Sequence, residues 1–440
     1  MTTPAPRFAP GRAISFEFRV ALLGAGTVGA SVMRGFIERP DRLTPADGPA
    51  LRLVAVAEKD AERARQQGVP DELISTSAKD LIESPQIEAV VELIGGEEPA
   101  RTFISAAFRN GKGVVTANKH VIAHHGPELE ALSRETGSPF RFEAAVGGGI
   151  PLLGPLASEL ATNRIRSIRG IVNGTTNYIL TAMAEEHRPY AEVLAAAQAA
   201  GYAEANPAGD VEALDAVNKA VILGRLAFGG WVHPSAVVRR PPLLEGRGLP
   251  GITGVTGRDI AAAAAFGLVI KLVTLVRGGT SVPIEIAVVP TAVAADSVLG
   301  TTRGVTNAVE VIGDPIGTVA FSGPGAGGPA TSSAVLGDLL ALARGLGSTW
   351  GGLPPAVAVD ADLDTMEAAW LDSPHGWLVH IPATQELPAA QDGIEITVVE
   401  GGLALRSEPR PLAAIREIVR RIAPAGLNPV IYPVEAPRSR

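Results

Sequence analysis

The 440-residue chain contains no cysteine. That absence excludes a disulfide framework, a zinc–thiolate centre and a thiol nucleophile. Basic charge is also short. Lys and Arg number 38 against 46 Asp and Glu, for a net charge of -8. Such a balance argues against a nucleic-acid or anionic-membrane surface. Long hydrophobic runs are missing too. The longest, Ile260 to Ile270, is eleven residues and ends at Lys271, too short to span a bilayer. Met1 to Arg19 is proline-rich and charged, without the apolar core of a secretory signal. These absences are those expected of a soluble, cytoplasmic protein.

What is present supports a large core. Hydrophobic residues make up 46% of the chain and charged residues 19%, over a length suited to two or three domains. Arg19 to Leu23 reads as a buried strand, and Gly24-Ala25-Gly26-Thr27-Val28-Gly29 follows it directly. A helix from Val28 to Ile37 comes next. Strand, GxGxxG and helix in that order form the dinucleotide fingerprint. The first Gly makes the turn, the second admits the pyrophosphate, and the third lets helix and strand pack closely. The pyrophosphate would sit on the helix N-terminus.

Leu51 to Ala57, Ala89 to Leu93 and Gly113 to Thr116 read as further strands that alternate with helices. That order gives a doubly wound parallel sheet. After the second strand stand Glu58 and Lys59. An acid there holds the ribose diol of NAD and a base the 2′-phosphate of NADP. Lys59 tips the reading towards NADP, and Glu58 opposes it. Ligands of such sheets bind outside the carboxyl ends of the strands. That draws attention to the loop at Ile94 and Gly95 and to Thr116 through Lys119. Phe140 to Val146 reads as another strand, running into Gly147-Gly148-Gly149-Ile150-Pro151. The glycines either let carbonyls converge on a hard cation or form a hinge.

The stretch from Gly201 to Lys219 carries the chemistry. Asn206, Pro207 and Gly209 interrupt any helix, and Asp210 suits an N-cap for one starting at Val211. Asp215 and Lys219 lie four apart, acid first, on one helix face. Such pairs are ordinarily solvated. Here Ala220-Val221-Ile222-Leu223-Gly224 continues the helix with no polar face, so the pair is expected to be buried. Buried, partnered ionisable groups gather at functional sites. With Glu204 as a second acid, the site suits a substrate bearing an ammonium, and Lys219 suits a proton donor to a developing alkoxide.

These segments resemble homoserine dehydrogenase. The likeness rests on the fingerprint and its strand, and on Val91-Glu92-Leu93-Ile94-Gly95-Gly96 through Lys119. It extends through Glu143 to Pro151, and from Asn173-Gly174-Thr175-Thr176-Asn177-Tyr178 to Lys219. A fifth segment, Asn307 to Leu340, contains Gly323-Pro324-Gly325-Ala326-Gly327 and is similar to a cofactor-side return loop. The resemblance implies reversible NAD(P)H-dependent reduction of L-aspartate 4-semialdehyde to L-homoserine, in threonine, methionine and isoleucine biosynthesis. It implies that Lys219 is the proton donor and Lys119 a second catalytic lysine. Gly174, Thr175, Tyr202, Glu204 and Asp215 would bind substrate. Gly24, Gly26, Thr27, Val28, Gly29, Lys59, Ile94, Gly95, Thr116, Lys119, Gly201 and Gly323 would contact the cofactor. A monovalent cation, sodium or potassium, would take Glu143, Val146, Gly148 and Ile150. The resemblance also implies a homodimer. Asn206 departs from the pattern, standing where an Asp is common.

The expected fold class is α/β. Residues 1–150 form a Rossmann domain, completed by a returning segment at 321–346. Residues 151–320 form a second α/β domain for substrate and dimerisation, with strands at Ile165 to Val172 and Val282 to Val289 and a helix from Ile260 to Val276. Gly351, Gly352, Pro354 and Pro355 read as a linker to a small α+β module at 356–440. That module suggests a degenerate ACT-like unit, but it lacks an Asp-Arg-Pro-Gly turn, and no first helix is legible between Pro382 and Gly393. The seven His show no metal spacing, and His124 and His125 read as loop residues. Two rival functions remain. An aldehyde dehydrogenase for the same semialdehyde needs a thiol, which this chain lacks. A silent dinucleotide-sensing regulator would have lost Lys219, Lys119 or the acids.

Overall fold

The structure is a computed structural model describing residues 17–46, 48–279, 282–359, 361–382 and 392–435. Following the chain, β1 (Glu17–Leu23), α1 (Thr27–Glu38), β2 (Ala50–Ala57), α2 (Ala61–Gln66) and β3 (Ile74–Ser75) come first. Next come α3 (Ala78–Glu83), β4 (Ala89–Glu92), α4 (Ala100–Arg109), β5 (Gly113–Thr116), α5 (Lys119–Thr136) and β6 (Phe140–Arg141). The middle of the chain forms α6 (Leu153–Ala157), β7 (Arg164–Ile171), α7 (Gly174–Glu186), α8 (Tyr190–Ala199), α9 (Ala208–Val211) and α10 (Leu214–Phe228). After it run β8 (Gly230–Trp231), α11 (Gly257–Ala264), β9 (Leu268–Gly279), β10 (Val282–Ala294), α12 (Val298–Thr301), β11 (Thr306–Asp314) and β12 (Gly317–Pro324). The last stretch forms α13 (Gly328–Ala343), β13 (Val357–Ala358), α14 (Leu363–Asp372), β14 (His375–Pro382), β15 (Ile394–Val399), β16 (Gly402–Arg410), α15 (Leu412–Ile422) and β17 (Ile431–Glu435).

Two compact units result. The first takes residues up to Asn118, Leu129–Ala144 and Gly327–Thr349. Its parallel sheet has the order β3-β2-β1-β4-β5-β6, reversing direction of growth beside β1, as in a doubly wound fold. The strands are apolar on both faces, with Val20 to Leu23 and Val90 and Val91 at most 1% exposed. The returning helix α13 packs on α1 and lends Val335, Leu339 and Leu342 to this core.

The second unit holds Lys119–Glu128, Ala145–Ala326 and everything from Trp350. Its sheet has nine strands, in the order β12-β11-β7-β9-β10-β17-β14-β16-β15. Helix α10 is buried from Ala216 through Leu226 and packs on β9 and β10. A Cβ at Gly224 would stand 2.9 Å from Ile286 Cδ1, so a larger residue there would displace the end of that side chain.

Several elements differ from expectation. Residues 356–440 do not stand apart. β17 pairs in parallel with β10 through Ala292↔Val434, so the tail continues the sheet. The presumed linker is anchored as well, since Arg225, fully buried, donates to the Pro354 carbonyl at 2.8 Å. A helix is present ahead of β14, at α14, whereas the Pro382 to Gly393 interval sought for it lies mostly outside the described residues. The strand expected over Phe140 to Val146 stops at Arg141, and Glu143–Ala145 is a 3₁₀ turn. There the Phe142 N–H donates to Thr349 Oγ1 and the Glu143 N–H to Asp338, so side chains take the donors a ladder would use. The helix expected from Ile260 to Val276 is α11 followed by β9. Gly267, at φ 66°, turns the chain between them. His124 and His125 lie in α5, where the His124 ring lies 4.3 Å from that of His120 and meets that of His233 edge-on at 5.7 Å. Among the described residues no helix is long and apolar enough to cross a membrane.

Candidate active site

In the first unit the glycines divide their work as the fingerprint requires. Gly24, at φ 99°, would bring a Cβ to 2.7 Å from the Leu93 carbonyl. A Cβ at Gly29 would stand 2.1 Å from the Gly24 carbonyl, so only glycine lets α1 sit on this turn. At Gly26 a Cβ would meet nothing within 4 Å. Gly26 is also the N-cap of α1 and offers no side-chain cap to the helix that begins at Thr27. These features fit a diphosphate.

Glu58 folds back on this loop, accepting from the Ala25 N–H at 3.1 Å and the Lys59 N–H at 3.0 Å. Lys59 itself is exposed. Sequence reasoning passed over the role of Glu92, which is fully buried at the end of β4. Its carboxylate accepts from Thr116 Oγ1 at 2.7 Å, the Ile94 N–H at 2.8 Å and the Gly95 N–H at 3.3 Å. One buried acid thus shapes both loops expected to meet the cofactor.

The second unit assembles the ionisable cluster. Lys219, 7% exposed, donates from Nζ to Asp215 Oδ2 at 2.7 Å and to the Val172 carbonyl at 2.6 Å. Lys119 Nζ stands 3.0 Å from the other Asp215 oxygen. Both lysines therefore share one carboxylate. Burial alone would push the Asp215 carboxyl up, but the Lys219 and Lys119 ammoniums outweigh it and hold it well below the usual carboxylate range. Burial pushes the Lys219 ammonium down, with Asp215 opposing and Lys119 adding. Lys119, nearer the surface, is pushed up by Asp215.

Asp210 belongs to this cluster, a role the sequence had not suggested. It caps no helix at Val211. The chain makes the short α9 over Ala208–Val211, and α10 starts at Leu214, after Ala213 at φ 70°. The Asp210 carboxylate instead accepts from Asn173 Nδ2 at 2.7 Å, and the same amide donates to Asp215 Oδ2 at 3.0 Å. Burial pushes Asp210 up, the Asn173 hydrogen bond opposes this, and Asp215 adds. Asn173 also caps α7 through the Thr176 N–H at 2.9 Å. No local pattern pointed to Asn173, because its partners lie far along the chain.

Other expected residues lie in the same unit. Thr175 Oγ1 donates to the Tyr202 carbonyl at 2.7 Å, and the Tyr202 ring lies 5.0 Å from that of Tyr178. Gly174 opens α7, where a Cβ would stand 2.6 Å from the Val305 carbonyl. Gly201 turns the chain at φ 76°. Glu204 is exposed on its loop, and its carboxylate joins neither lysine nor acid among the described residues. Gly323 pairs with Asn307 on the β11–β12 ladder. At the triple-glycine turn, Gly147 and Gly148 take φ 75° and 56°, and the Ile150 N–H donates to the Gly147 carbonyl at 2.9 Å.

Comparison with known proteins finds two family models, one after the other along the chain. The family model described as "Homoserine dehydrogenase, NAD binding domain" matches residues 24–143, and that described as "Homoserine dehydrogenase" matches residues 151–340. A homoserine dehydrogenase of Synechocystis sp. is 43% identical over 325 residues, covering 73% of this chain and 72% of the relative. That of Bacillus subtilis is 40% identical over 328 residues, 74% of this chain and 73% of the relative. Among solved structures, a homoserine dehydrogenase from Thiobacillus denitrificans superposes with a TM-score of 0.81 at 30% identity, covering 96% of this chain and 98% of that one. A hyperthermophilic archaeal homoserine dehydrogenase in complex with NADPH gives a TM-score of 0.61 at 26% identity, covering 74% and 97%.

Proposed function

We propose, from the premise that the chain belongs to the homoserine dehydrogenase family, that Lys219 is the proton donor in reversible reduction of L-aspartate 4-semialdehyde to L-homoserine. The observation that carries this reading is the bonding of Lys219. An ammonium has three N–H groups. Asp215 and the Val172 carbonyl take one each, which leaves one for a substrate oxygen. Reduction of an aldehyde leaves negative charge on that oxygen, and a positioned acid neutralises it. Asp215 has both oxygens engaged by lysines, so its work is to hold Lys219 and Lys119 in place. Glu204, exposed, and Asp210, close to Asp215, are the acids assigned to the substrate ammonium. Gly174, Thr175 and Tyr202 line the same pocket.

The reduced nicotinamide, when bound, supplies hydride to the aldehyde carbon. Gly24, Gly26, Thr27, Val28 and Gly29 would hold its diphosphate. Ile94, Gly95 and Thr116, set by Glu92, would line its further course, with Lys119, Gly201 and Gly323 as additional contacts. A sodium or potassium ion on Glu143, Val146, Gly148 and Ile150 belongs to the same reading. It is supported by the carbonyl-rich turn and the oxygen preference of hard cations. A homodimer, a cytoplasmic setting and a place on the route to threonine, methionine and isoleucine rest on the family alone.

NADP is favoured over NAD, on the exposed Lys59 beside Glu58. The test is semialdehyde reduction, with NADH and NADPH compared in wild type and in Lys59→Ala. Lys59→Ala should raise KM for NADPH roughly ten-fold, the scale of one lost charge-assisted contact, and that for NADH little. Equal effects on both cofactors overturn the assignment, and absence of turnover in wild type overturns the reaction.

A further inference from the structure

Another buried lysine is left unexplained by the reaction. Lys271 lies in β9 and is 3% exposed. Its Nζ donates to Thr302 O at 2.8 Å, Asn177 Oδ1 at 2.9 Å and Thr181 Oγ1 at 3.1 Å. Among the described residues no carboxylate forms an ion pair with it. Burial pushes it down to about 8, with Arg303 adding and Glu185 opposing. A buried cation without a counter-charge is costly to keep. Two simple roles do not suit it. Lys271 and Thr181 line a cavity of about 1250 Å³. Yet all three N–H groups of Lys271 are spent on the protein, so none is left for an anion there. For the same reason it differs from Lys219, which keeps one N–H in hand.

What Lys271 does hold leads back to the substrate site. Asn177 and Thr181 are one turn apart on α7, and Asn177 is 1% exposed. Asn177 Nδ2 donates to the Gly304 carbonyl at 2.9 Å and to those of Thr302 and Thr306 at 3.3 Å. The segment from Thr302 to Thr306 is thereby tied to α7 and, through Lys271, to β9. Its Val305 carbonyl bears directly on Gly174. Gly174 is the first residue of α7, and its neighbour Asn173 holds Asp210 and Asp215 together.

We propose that Lys271 is a positioning residue for the substrate pocket: its clamp on Asn177, Thr181 and Thr302 fixes the first turn of α7 so that Asn173 keeps Asp210 and Asp215 in register with Lys219. The inference rests on the reading of that cluster as the reducing site. Small displacements of binding groups have large kinetic consequences.

The test uses the full-length protein in homoserine oxidation, with thermal melting beside it. Lys271→Met is expected to raise KM for homoserine roughly ten-fold, with a smaller fall in kcat and an unchanged KM for the dinucleotide. Thr181→Val, which deletes one acceptor, should raise the same KM by a smaller factor, and Thr181→Ser, which keeps the hydroxyl, should restore it. A role in stability alone would lower the melting temperature and leave KM for homoserine at the wild-type value in all three variants. That outcome overturns the proposal. If Lys271→Met does not fold, the Thr181→Val and Thr181→Ser pair decides. Failure of wild type to turn over homoserine refutes the reaction instead, and is seen before any variant is compared.

Discussion

Lys219→Met should lower kcat by ~10²–10⁴-fold, the usual worth of a positioned proton donor. KM for the dinucleotide should stay within a few-fold, because Lys219 is not among the residues assigned to the cofactor. Met keeps most of the side-chain length and should leave the fold intact. Asp215 retains Lys119 at 3.0 Å and Asn173 at 3.0 Å, so its charge is not stranded. The pH dependence follows from the downward shift of Lys219. Reduction needs the protonated amine, so its rate should fall as pH rises through a value below the ordinary ~10.4 of lysine. Homoserine oxidation needs the neutral amine and should rise over the same interval. Both limbs should vanish in the Met variant. Asp215 is shifted the other way. Its folded value lies below its unfolded one, so the stability it contributes is present above ~4 and is lost as pH falls through the folded value. Steady-state rates from neutral to alkaline pH check the assignment. If Lys219→Met keeps kcat within a few-fold of wild type, Lys219 is not the donor, and Lys119 is the candidate.

The parts of this site that the sequence disclosed are those written in short-range spacing. GxGxxG between a strand and a helix is local, and so is the Asp215–Lys219 pair on one helix face. What stayed hidden is contact between distant residues. Asn173 meets Asp210 and Asp215 across 37 and 42 residues, and Val172 meets Lys219 across 47. Lys271 reaches Asn177 across 94. No periodicity records such pairs. The Ile260 to Val276 stretch shows a second limit. A fully buried strand and a buried helix are both continuous apolar runs, and periodicity cannot separate them. Gly267 was the available signal, since a glycine turn divides α11 from β9. Asp210 misled for a local reason. Asp before an apolar run is a good cap, but a carboxylate near Asn173 has a better partner than a helix N–H.

A chain ending after Thr349 should fail to give a soluble, active enzyme. The sequence suggested the opposite, because glycines and prolines between Gly351 and Pro355 read as a linker to a separable module. Thr349 is a fair place to cut, since the first unit ends there with its bonds to Phe140 and Phe142 kept. The second unit would lose much more. β17, β14, β16 and β15 form the outer half of its sheet, so their removal bares the edge of β10. An uncovered apolar edge strand is a template for aggregation. Trp370, 2% exposed, packs with Val238, Ala287 and Val289 and would be lost together with Trp350 at 3%. Deleting one buried Trp side chain typically costs about 3–5 kcal/mol. Two such losses are comparable with the ~5–15 kcal/mol that holds a whole domain. Polar groups would be stranded as well. Arg225, fully buried, would lose the Pro354 carbonyl. Arg277 and Arg169 would lose Glu435, which lies 2.6 and 3.7 Å from them. Arg169 is on β7, the strand that leads to Val172 and Asn173, so the damage reaches the site from its own sheet. Solubility, size-exclusion profile and turnover of the shortened chain are the measurements. A monodisperse product with wild-type kcat would mean that the tail is a separable module and that β10 tolerates an open edge.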